Sequence, residues 1–421
     1  MLIEFRVKNF RSIKDEAVLS MVSIPALDDF QKGSSFGVPD LGIKLSKASA
    51  IFGANGSGKS NVWLAMATMR NIVLGSVADI EGLGLKLMVS PFLLNSSTEN
   101  SPSKFEVSIA LKEGRYRYGF EATNEKIISE WLFFVRKQSE QKLFERRKDK
   151  ISIGKHFPDG KGLDLKTRDN ALFLSVATSF NGEVSKMIHT WFATSFVALK
   201  SLSDESYQGY TLNNFDKIGE KKILKLLKSA DLSIESIKKN ETISNELPKG
   251  LFPIPEEIRN FVQNINKGPF RNIEIKSVHK KFNSDNAIVG DVSFDFGRSE
   301  SDGTKKMFYI SGLMIDSLEN GRTLFVDELD ARLHPLLLEA IVGMFNGRKN
   351  KRNAQLIFCT HNTFLLQKRS LNRDQVWFTE KDKYGATSLF SLADFKKRKD
   401  ASFEKDYLNG VFGSIPLIED L

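Results

Sequence analysis

Residues 53–60 of the chain, with the sequence GANGSGKS, constrain its fold more than any other feature. They fit the pattern G-x-x-x-x-G-K-[ST] without a mismatch. The apolar run 48–52 before them predicts a strand, and the apolar-periodic residues 61–74 after them predict a helix. Glycines let backbone amides turn inward in such a loop, and the following helix directs its positive end to the same place. The segment therefore predicts a phosphate-binding loop at the centre of an α/β P-loop fold.

The loop also predicts how a nucleotide is held. Lys59 is expected to contact the outer phosphates, and the Ser60 hydroxyl is expected to bind a Mg²⁺ ion that bridges them. The expected nucleotide-binding residues are Gly53, Asn55, Gly56, Ser57, Gly58, Lys59, Ser60 and Asn61. The expected cofactors are ATP and Mg²⁺, although the sequence does not identify residues that would distinguish ATP from GTP.

A second predicted strand, residues 323–326, is followed by two carboxylates. These are Asp327 and Glu328, and ligands bind at the carboxyl ends of parallel strands in α/β folds. We expect Asp327 to hold the metal ion, Mg²⁺, and Glu328 to be a catalytic residue that polarises the attacking water. Taken alone, an apolar strand followed by Asp-Glu is also a common ending at a protein surface.

The residues after this pair resemble those of the ABC ATPases. Asp330 follows the two carboxylates, and His361 follows the predicted strand 355–360. In that superfamily a D-loop aspartate and a switch histidine occupy these positions. The resemblance implies that His361 is catalytic and contacts the terminal phosphate, whereas a single histidine elsewhere is more often structural.

Residues 300–304, ESDGT, lie where the resemblance places a signature motif. They open an apolar-periodic helix, and Ser301 with the amides around Gly303 could bind an anion at the start of that helix. The resemblance implies that Ser301, Gly303 and Thr304 reach in trans to the terminal phosphate held by a second subunit. The alternative is a helix N-cap followed by a solvated lysine pair.

The composition of the 421 residues limits the classes of protein that the chain can represent. Hydrophobic residues make up 41% and charged residues 27%, as in ordinary globular proteins. The net charge of +9 permits contact with nucleic acid. A single cysteine, Cys359, excludes an intrachain disulfide and a thiolate metal cluster, and no apolar run is long enough to span a bilayer. We therefore expect a cytoplasmic protein that does not act in a membrane.

Periodicity along the chain predicts three regions. Residues 1–150 are expected to form the N-terminal half of an ABC-type head, with an antiparallel β meander at 105–144. Residues 151–270 are expected to be a mainly helical insertion, and residues 271–421 the C-terminal half of the head. The helical prediction depends on apolar residues spaced for one helix face, which are Ile223, Leu224, Leu227, Ile234 and Ile237.

The opening residues 5–13, FRVKNFRSI, look like the start of the non-transporter ABC branch that includes the SMC, RecF and OLD-like proteins. Other stretches resemble bacterial stand-alone AAA/ABC ATPases of the RloA or AbiL-like kind, and these are residues 300–304, 327–335, 360–363, 373–378 and 407–416. The resemblance implies a role in phage defence and abortive infection. In such systems an ATPase is commonly paired with a separate effector, often a nuclease or toxin.

Three departures narrow this resemblance. SMC proteins carry hundreds of residues of heptad coiled coil between the two halves of the head, whereas the predicted insertion is short and lacks sustained heptads. The acidic metal-binding domain of OLD nucleases is not expected after His361. No glutamine lies between Ser60 and the meander, so the Q-loop ligand of Mg²⁺ stays unassigned.

The leading hypothesis is an ATP-binding and ATP-hydrolysing switch that dimerises around ATP. Two subunits of a homodimer, or of a higher homo-oligomer, would enclose the nucleotide and control an effector protein encoded nearby. One alternative is a RecF-like DNA-binding repair ATPase. Another is the ATPase subunit of a transporter, which the missing Leu-Ser-Gly-Gly-Gln signature disfavours.

Overall fold

A computed structural model of the chain describes residues 1–27, 30–112, 114–136, 139–200, 206–229, 234–244, 270–331, 333–396, 398 and 401–413. The chain divides into two compact units, which are Met1–Asp204 with Asp316–Leu421, and Glu205–Ile315. Residues 245–269 of the predicted insertion and 414–416 of the C-terminal motif lie outside the described residues. The region boundaries at 150 and 270 stay predictions.

The β-strands are short and numerous. In chain order they are β1 Leu2–Lys8, β2 Ala17–Ser20, β3 Ser35–Val38, β4 Ile43–Ser46, β5 Ala48–Phe52, β6 Ser103–Leu111, β7 Gly114–Ala122, β8 Ile127–Arg136, β9 Ser139–Arg147, β10 Lys150–Ile153, β11 Phe196–Leu199, β12 Ser236–Ser244, β13 Phe270–Phe282, β14 Ile288–Asp295, β15 Thr323–Val326, β16 Gln355–Cys359, β17 Val376–Lys381 and β18 Thr387–Ser391.

The α-helices lie between these strands. They are α1 Lys59–Gly75, α2 Leu83–Met88, α3 Phe173–Ser179, α4 Glu183–Thr190, α5 Ser206–Ile218, α6 Glu220–Ser229, α7 Phe296–Ser299, α8 Asp302–Asn320, α9 Pro335–Asn346, α10 Phe364–Gln367 and α11 Phe403–Leu408. Within the described ranges, no helix combines the length and the apolar character that crossing a bilayer requires.

The first unit contains a seven-stranded antiparallel sheet in the order β10-β9-β8-β7-β6-β1-β2. Its central strands form the predicted meander, since β6 to β9 pair in succession as antiparallel neighbours. Alternate residues of β6 and β7 are buried on one face, and these are Phe105, Val107, Ile109, Tyr116, Tyr118 and Phe120. The predicted period of two is thus confirmed on this face, although residues 105–110 of β6 are buried on both faces.

The second large sheet of this unit is mainly parallel, in the order β11-β15-β16-β5-β17-β18. Its first five strands pair in parallel, and β18 closes one side by pairing antiparallel with β17. Every residue of β5, β15 and β16 is buried, as expected for strands covered on both faces. The parallel strands predicted around residues 323 and 355 are confirmed.

Helix α1 lies between the two large sheets. It packs against β1 and β6 of the antiparallel sheet and against β11 and β16 of the parallel one. Buried residues occupy most of its circumference, which fits a helix between two layers. The indole Nε1 of Trp63 also donates a hydrogen bond to the backbone oxygen of Phe325, at 3.2 Å, so α1 is fixed directly to β15.

Gln355, at the start of β16, connects the two sheets through a buried side chain. Its amide oxygen accepts a hydrogen bond from Leu2 N at 2.7 Å, and its amide nitrogen donates to Leu2 O at 2.9 Å. The same oxygen lies 3.1 Å from the hydroxyl of Thr323 in β15. One side chain therefore joins β1 to two strands of the parallel sheet.

The second unit is built on helices and a three-stranded antiparallel sheet in the order β12-β13-β14. Strands β13 and β14 confirm the two alternating stretches of the sequence. The helical period, however, ends with α6 at Ser229, and Ile237 lies in β12, where it pairs with Ser277. The prediction of one helical face through Ile234 and Ile237 is wrong, because an apolar spacing of three residues also occurs by chance at the start of a strand.

A buried carboxylate fixes the antiparallel sheet to helix α3. Glu130 of β8 is fully buried and accepts hydrogen bonds from Tyr118 Oη at 3.0 Å, Phe173 N at 2.6 Å and Leu174 N at 3.0 Å. Burial raises the pKa of Glu130 to about 6, above the ordinary value of 4.5. The carboxylate thereby satisfies two amides at the start of α3 that no helical carbonyl can reach.

We expect Glu130→Ala to lower the free energy of unfolding by about 3 kcal/mol, because three buried donors lose their acceptor. The difference from wild type should narrow as the pH rises from 4.5 through about 6, since the folded state holds the proton of Glu130 more tightly than the unfolded state. Urea denaturation across this pH range measures both effects. Glu125→Ala, in an exposed turn, is the control and should change stability by less than about 0.5 kcal/mol. A similar loss in both variants would contradict the assignment.

Candidate functional site

Three neighbouring parallel strands end at one edge of the sheet. Ala50 of β5 lies beside Phe358 of β16, and Phe358 lies beside Val326 of β15. The segments that follow these strands, which carry the glycine-rich loop, the Asp-Glu pair and His361, therefore emerge together. The topology brings together sequence features that are up to about 300 residues apart, as expected where parallel strands end.

The glycine-rich loop needs glycine for two reasons. Gly53 and Gly58 have φ angles of +155° and +110°, which L-residues rarely adopt. A Cβ atom on Gly53 would lie 2.5 Å from the hydroxyl of Ser57 and 2.6 Å from the backbone oxygen of Thr379. A Cβ atom on Gly58 would overlap the side chain of Thr387. Both the backbone conformation and the close neighbours thus exclude larger residues.

A chain of hydroxyl groups holds the loop from outside. Asn61 Nδ2 donates to Ser12 Oγ at 2.6 Å, Ser12 Oγ lies 2.8 Å from Thr387 Oγ1, and Thr387 Oγ1 donates to Ser57 O at 2.9 Å. Ser57 Oγ lies 2.7 Å from Thr379 Oγ1. Because Thr387 uses its proton on Ser57, Ser12 donates to Thr387 and the bonds run in one direction. Ser12 belongs to the opening stretch 5–13 that resembles the non-transporter ABC branch, but its contact with the loop was not predicted. Thr379 and Thr387 were not predicted at all, since isolated hydroxyl residues form no recognisable pattern.

The C-terminal stretch at residues 407–416 also contacts the phosphate-binding loop. Tyr407 of α11 stacks on Phe378 of β17, with ring centroids 5.5 Å apart. Burial raises the pKa of Tyr407, and its interaction with the backbone of Gly53 opposes this shift. Part of the motif at residues 407–416 is therefore explained by contact with the phosphate-binding loop.

Lys59 is almost completely buried at the start of α1. Its Nζ donates hydrogen bonds to Gly53 O at 2.8 Å and Ala54 O at 3.0 Å. Burial lowers the pKa of Lys59, and the nearby carboxylates of Asp327, Asp330 and Glu328 oppose that shift. The Lys59 ammonium group is thus held inside the loop, near three carboxylates whose combined negative charge exceeds its own positive charge.

Asp327 fits a Mg²⁺ ligand. Its side chain is 5% exposed, and its Oδ1 has no hydrogen-bond partner among the described residues. Burial raises the pKa of Asp327, and interactions with the Ser60 hydroxyl and the Cys359 thiol oppose that shift. No cluster of three or more His, Cys, Asp or Glu side chains suited to a metal occurs in the described part of the chain. One carboxylate beside one hydroxyl suits a Mg²⁺ ion that takes its other ligands from phosphate and water.

Cys359 is a buried free thiol at the end of β16. Its Sγ donates to Lys59 O at 3.6 Å. Burial raises the pKa of Cys359, and the Asp327 carboxylate raises it further, so the thiol stays protonated. The sequence indicated only that this cysteine has no disulfide partner, whereas the structure places its thiol next to Asp327, the predicted metal ligand.

Glu328 has a strained backbone. Its φ angle is +51°, in the left-handed region that a non-glycine residue occupies at a cost of about 1 kcal/mol. The conformation exposes the Glu328 side chain while the neighbouring Asp327 stays buried. The two carboxylates therefore occupy different environments, as their predicted roles require.

His361 is linked to Asp330. The backbone nitrogen of His361 donates to Asp330 Oδ2 at 3.0 Å, which joins the segment after β16 to the segment after β15. Burial lowers the pKa of His361, and the Lys59 ammonium lowers it further, while the three nearby carboxylates oppose these effects. The predicted D-loop and switch residues are thus in direct contact.

A cleft of about 230 Å³ opens between these groups. It is lined by Asn55, Gly56, Gly58, Lys59, Ser60, Asn61, Glu328, His361 and Lys381. All but one of these residues were predicted from the sequence. Lys381, at the end of β17, was not, because one lysine near the end of a strand resembles any solvated residue.

The signature segment belongs to the second unit. Ser301 caps α8, because its hydroxyl accepts from Thr304 N at 3.1 Å and lies 2.8 Å from Thr304 Oγ1. Lys305 Nζ lies 4.0 Å from Asp302 Oδ1, and Lys306 is buried. The N-cap expected under the alternative interpretation is present, whereas the solvated lysine pair is not. The roles of Ser301, Gly303 and Thr304 at a nucleotide stay predictions.

The profile of one protein family, described as "AAA domain, putative AbiEii toxin, Type IV TA system", matches residues 48–367. The chain belongs to this AAA family. The match begins at β5 and includes every cleft residue that the sequence predicted, but it ends before Lys381. No curated protein sequence matches the chain.

Solved structures of SMC heads are similar to this AAA-family chain at low sequence identity. The SMC head bound to the C-winged helix domain of ScpA is 13% identical, with a TM-score of 0.49 over 97% of this chain and 99% of that one. The SMC head domain from Thermotoga maritima is 14% identical, with a TM-score of 0.42 over 93% and 98%. The Smc head with an extended coiled coil, bound to the C-terminal domain of ScpA derived from Pyrococcus furiosus, is 12% identical, with a TM-score of 0.44 over 98% and 99%.

We expect Gly58→Ala to destabilise the protein more than Gly56→Ala. Both glycines have positive φ angles, +110° and +75°, so both substitutions strain the backbone. A Cβ atom at 58 would overlap Thr387, whereas one at 56 would have no neighbour within 4 Å. The overlap should cost about 2 kcal/mol beyond the shared strain, and thermal denaturation measures the difference. Equal losses in the two variants would show that Thr387 does not pack on the loop.

Proposed function

We propose that this AAA-family chain binds ATP with Mg²⁺ in the cleft, hydrolyses it, and uses the nucleotide state to control a partner protein. The observation that carries the proposal is the buried, unpartnered Oδ1 of Asp327 near Ser60, at the edge where Lys59, Glu328 and His361 meet. Most buried carboxylate oxygens in proteins have a hydrogen-bond partner. A carboxylate that holds a phosphate-bound metal needs an oxygen that is not used by the protein, and Asp327 Oδ1 meets that requirement beside Ser60.

Four residues that line the cleft, Lys59, Ser60, Glu328 and His361, then have distinct roles together with Asp327 and Asp330. Lys59 binds the outer phosphates, and Ser60 and Asp327 hold Mg²⁺, which neutralises charge on the phosphate oxygens when bound. The exposed carboxylate of Glu328 accepts a proton from the attacking water. His361 contacts the terminal phosphate, and Asp330 fixes the backbone of His361.

The proposed switch is completed by a second copy of the chain. Ser301, Gly303 and Thr304 lie at the start of the 19-residue helix α8, whose first amides and positive dipole suit an anion. We assign them to the terminal phosphate held by Lys59 of the partner copy, as in the ABC ATPases that the sequence resembles. Hydrolysis would remove that shared phosphate and separate the two copies.

The proposed partner is an effector protein encoded nearby, a nuclease or toxin, and the proposed setting is defence against phage. The family description names a toxin of a type IV toxin–antitoxin system, and the defence setting and the separate effector rest on the resemblance that the sequence shows. The residues of the cleft suit ATP turnover and include no further catalytic group for cutting nucleic acid. The nuclease or toxin activity is therefore assigned to the partner protein.

We expect Glu328→Gln to slow ATP hydrolysis by about 10²- to 10⁴-fold, because an amide cannot accept the proton of water. ATP binding should remain, and the variant should accumulate as an ATP-bound dimer. Phosphate release measures the rate, and light scattering with and without ATP measures the dimer. Glu125→Gln, at an exposed turn, is the control and should match wild type. Hydrolysis by Glu328→Gln at the wild-type rate would remove Glu328 from catalysis.

We expect Lys59→Ala to weaken ATP binding by about 100-fold, because a buried charge-assisted contact to phosphate is lost. Isothermal titration calorimetry with ATP and Mg²⁺ measures the affinity. Lys161→Ala removes an exposed lysine outside the cleft and should bind like wild type. Unchanged binding by Lys59→Ala would refute nucleotide binding at this loop.

A further inference from the structure

Lys381 reaches the phosphate-binding loop from a strand that the sequence did not connect with it. Strand β17 runs parallel to β5, with Phe378 beside Phe52. Lys381 follows Phe378 by three residues, and Asn55 follows Phe52 by three residues. Lys381 and Asn55 therefore lie at the same edge of the sheet. Lys381 accordingly lines the cleft together with Asn55 and Lys59.

The face of β17 that carries Lys381 is turned toward the loop. Side chains two residues apart on a strand share a face, so Lys381 lies on the same face as Thr379. Thr379 Oγ1 lies 2.7 Å from Ser57 Oγ. Thr387, directly opposite Lys381 on β18, donates a hydrogen bond to Ser57 O at 2.9 Å. Two hydroxyl contacts on the face of Lys381 therefore dock the β17–β18 hairpin on the loop.

The ammonium group of Lys381 is not engaged elsewhere. It makes no hydrogen bond, ion pair or ring contact with any other described residue. The adjacent Glu380 lies on the opposite face, where its carboxylate is close to Gly413. The Lys381 ammonium group is held by a docked hairpin and faces a cleft suited to phosphate. An anion in the cleft is therefore a suitable ligand for it.

We propose that Lys381 is a second phosphate-binding cation, which contacts the terminal phosphate of a bound nucleoside triphosphate and so distinguishes ATP from ADP. This proposal rests on the proposed function, because it requires a nucleotide in the cleft. Lys59 holds the phosphate chain from inside the loop, while Lys381 approaches from the β17–β18 hairpin. Glu328 and His361 line the same cleft, which places Lys381 where the reacting phosphate would be.

The test is the affinity of Lys381→Met for AMP-PNP and for ADP, measured by isothermal titration calorimetry with Mg²⁺. We expect the dissociation constant for AMP-PNP to rise about tenfold and that for ADP to change less than about twofold, because only the triphosphate analogue carries the contacted group. Lys381→Arg keeps the charge and should retain the preference. Lys383→Met is the matched control, since Lys383 lies two residues further on, near the Tyr384 ring, and does not line the cleft.

The outcomes separate this inference from the proposed function. An equal loss of affinity for both nucleotides would overturn it, because Lys381 would then contact the part that they share. Unchanged affinities in Lys381→Met, with binding lost in Lys59→Ala, would overturn it while leaving the proposed function intact. If Lys59→Ala also binds normally, the proposed function fails and this inference fails with it. A selective loss of affinity for AMP-PNP in Lys381→Met, with the affinity restored in Lys381→Arg, supports the role of Lys381 at the terminal phosphate.

Discussion

The parallel pairing of β5, β16 and β15 is the constraint on which the rest of the site depends. Each strand ends in a different functional segment, and their register places those segments at one edge. The pairing also fixes which side chains point inward, because a shift of one residue in a strand reverses its two faces. Such a shift at β15 would also displace Asp327 and Glu328, which follow the strand, from the ends of β5 and β16.

The geometry of the phosphate-binding loop is maintained by residues from three distant parts of the chain. Ser12, Thr387 and Tyr407 all contact it, directly or through one neighbour. These contacts are individually modest, about 1 kcal/mol for a neutral hydrogen bond. Together they restrict the backbone conformation of the loop between Gly53 and Ser57. The free energy cost of ordering a glycine-rich loop is thus met during folding, before any ligand binds.

Local patterns in the sequence predicted the parts of the site that local physics determines. The loop at residues 53–60, the buried strand before Asp327 and the alternating meander each depend on neighbouring residues, and the structure confirms them as elements. Lys381 and Thr387 could not be predicted, because their role arises only when β17 pairs with β5, more than 300 residues away in the sequence. The contacts of the Cys359 thiol with Lys59 and Asp327 could not be predicted for the same reason. The failure at Ile237 is different, since short segments of helix and strand can carry the same apolar spacing.

The order of strands in the parallel sheet has a consequence for how the protein is made. Strand β5 lies between β16 and β17, and both of these follow it by about 300 residues. At a synthesis rate of about 5–20 residues per second, a nascent chain waits about 15–60 seconds after making β5 before either neighbour leaves the ribosome. Throughout that interval both edges of an apolar strand are unpaired, which is the condition that favours aggregation. The same long separation that assembles the phosphate-binding site therefore leaves its central strand open to aggregation during synthesis.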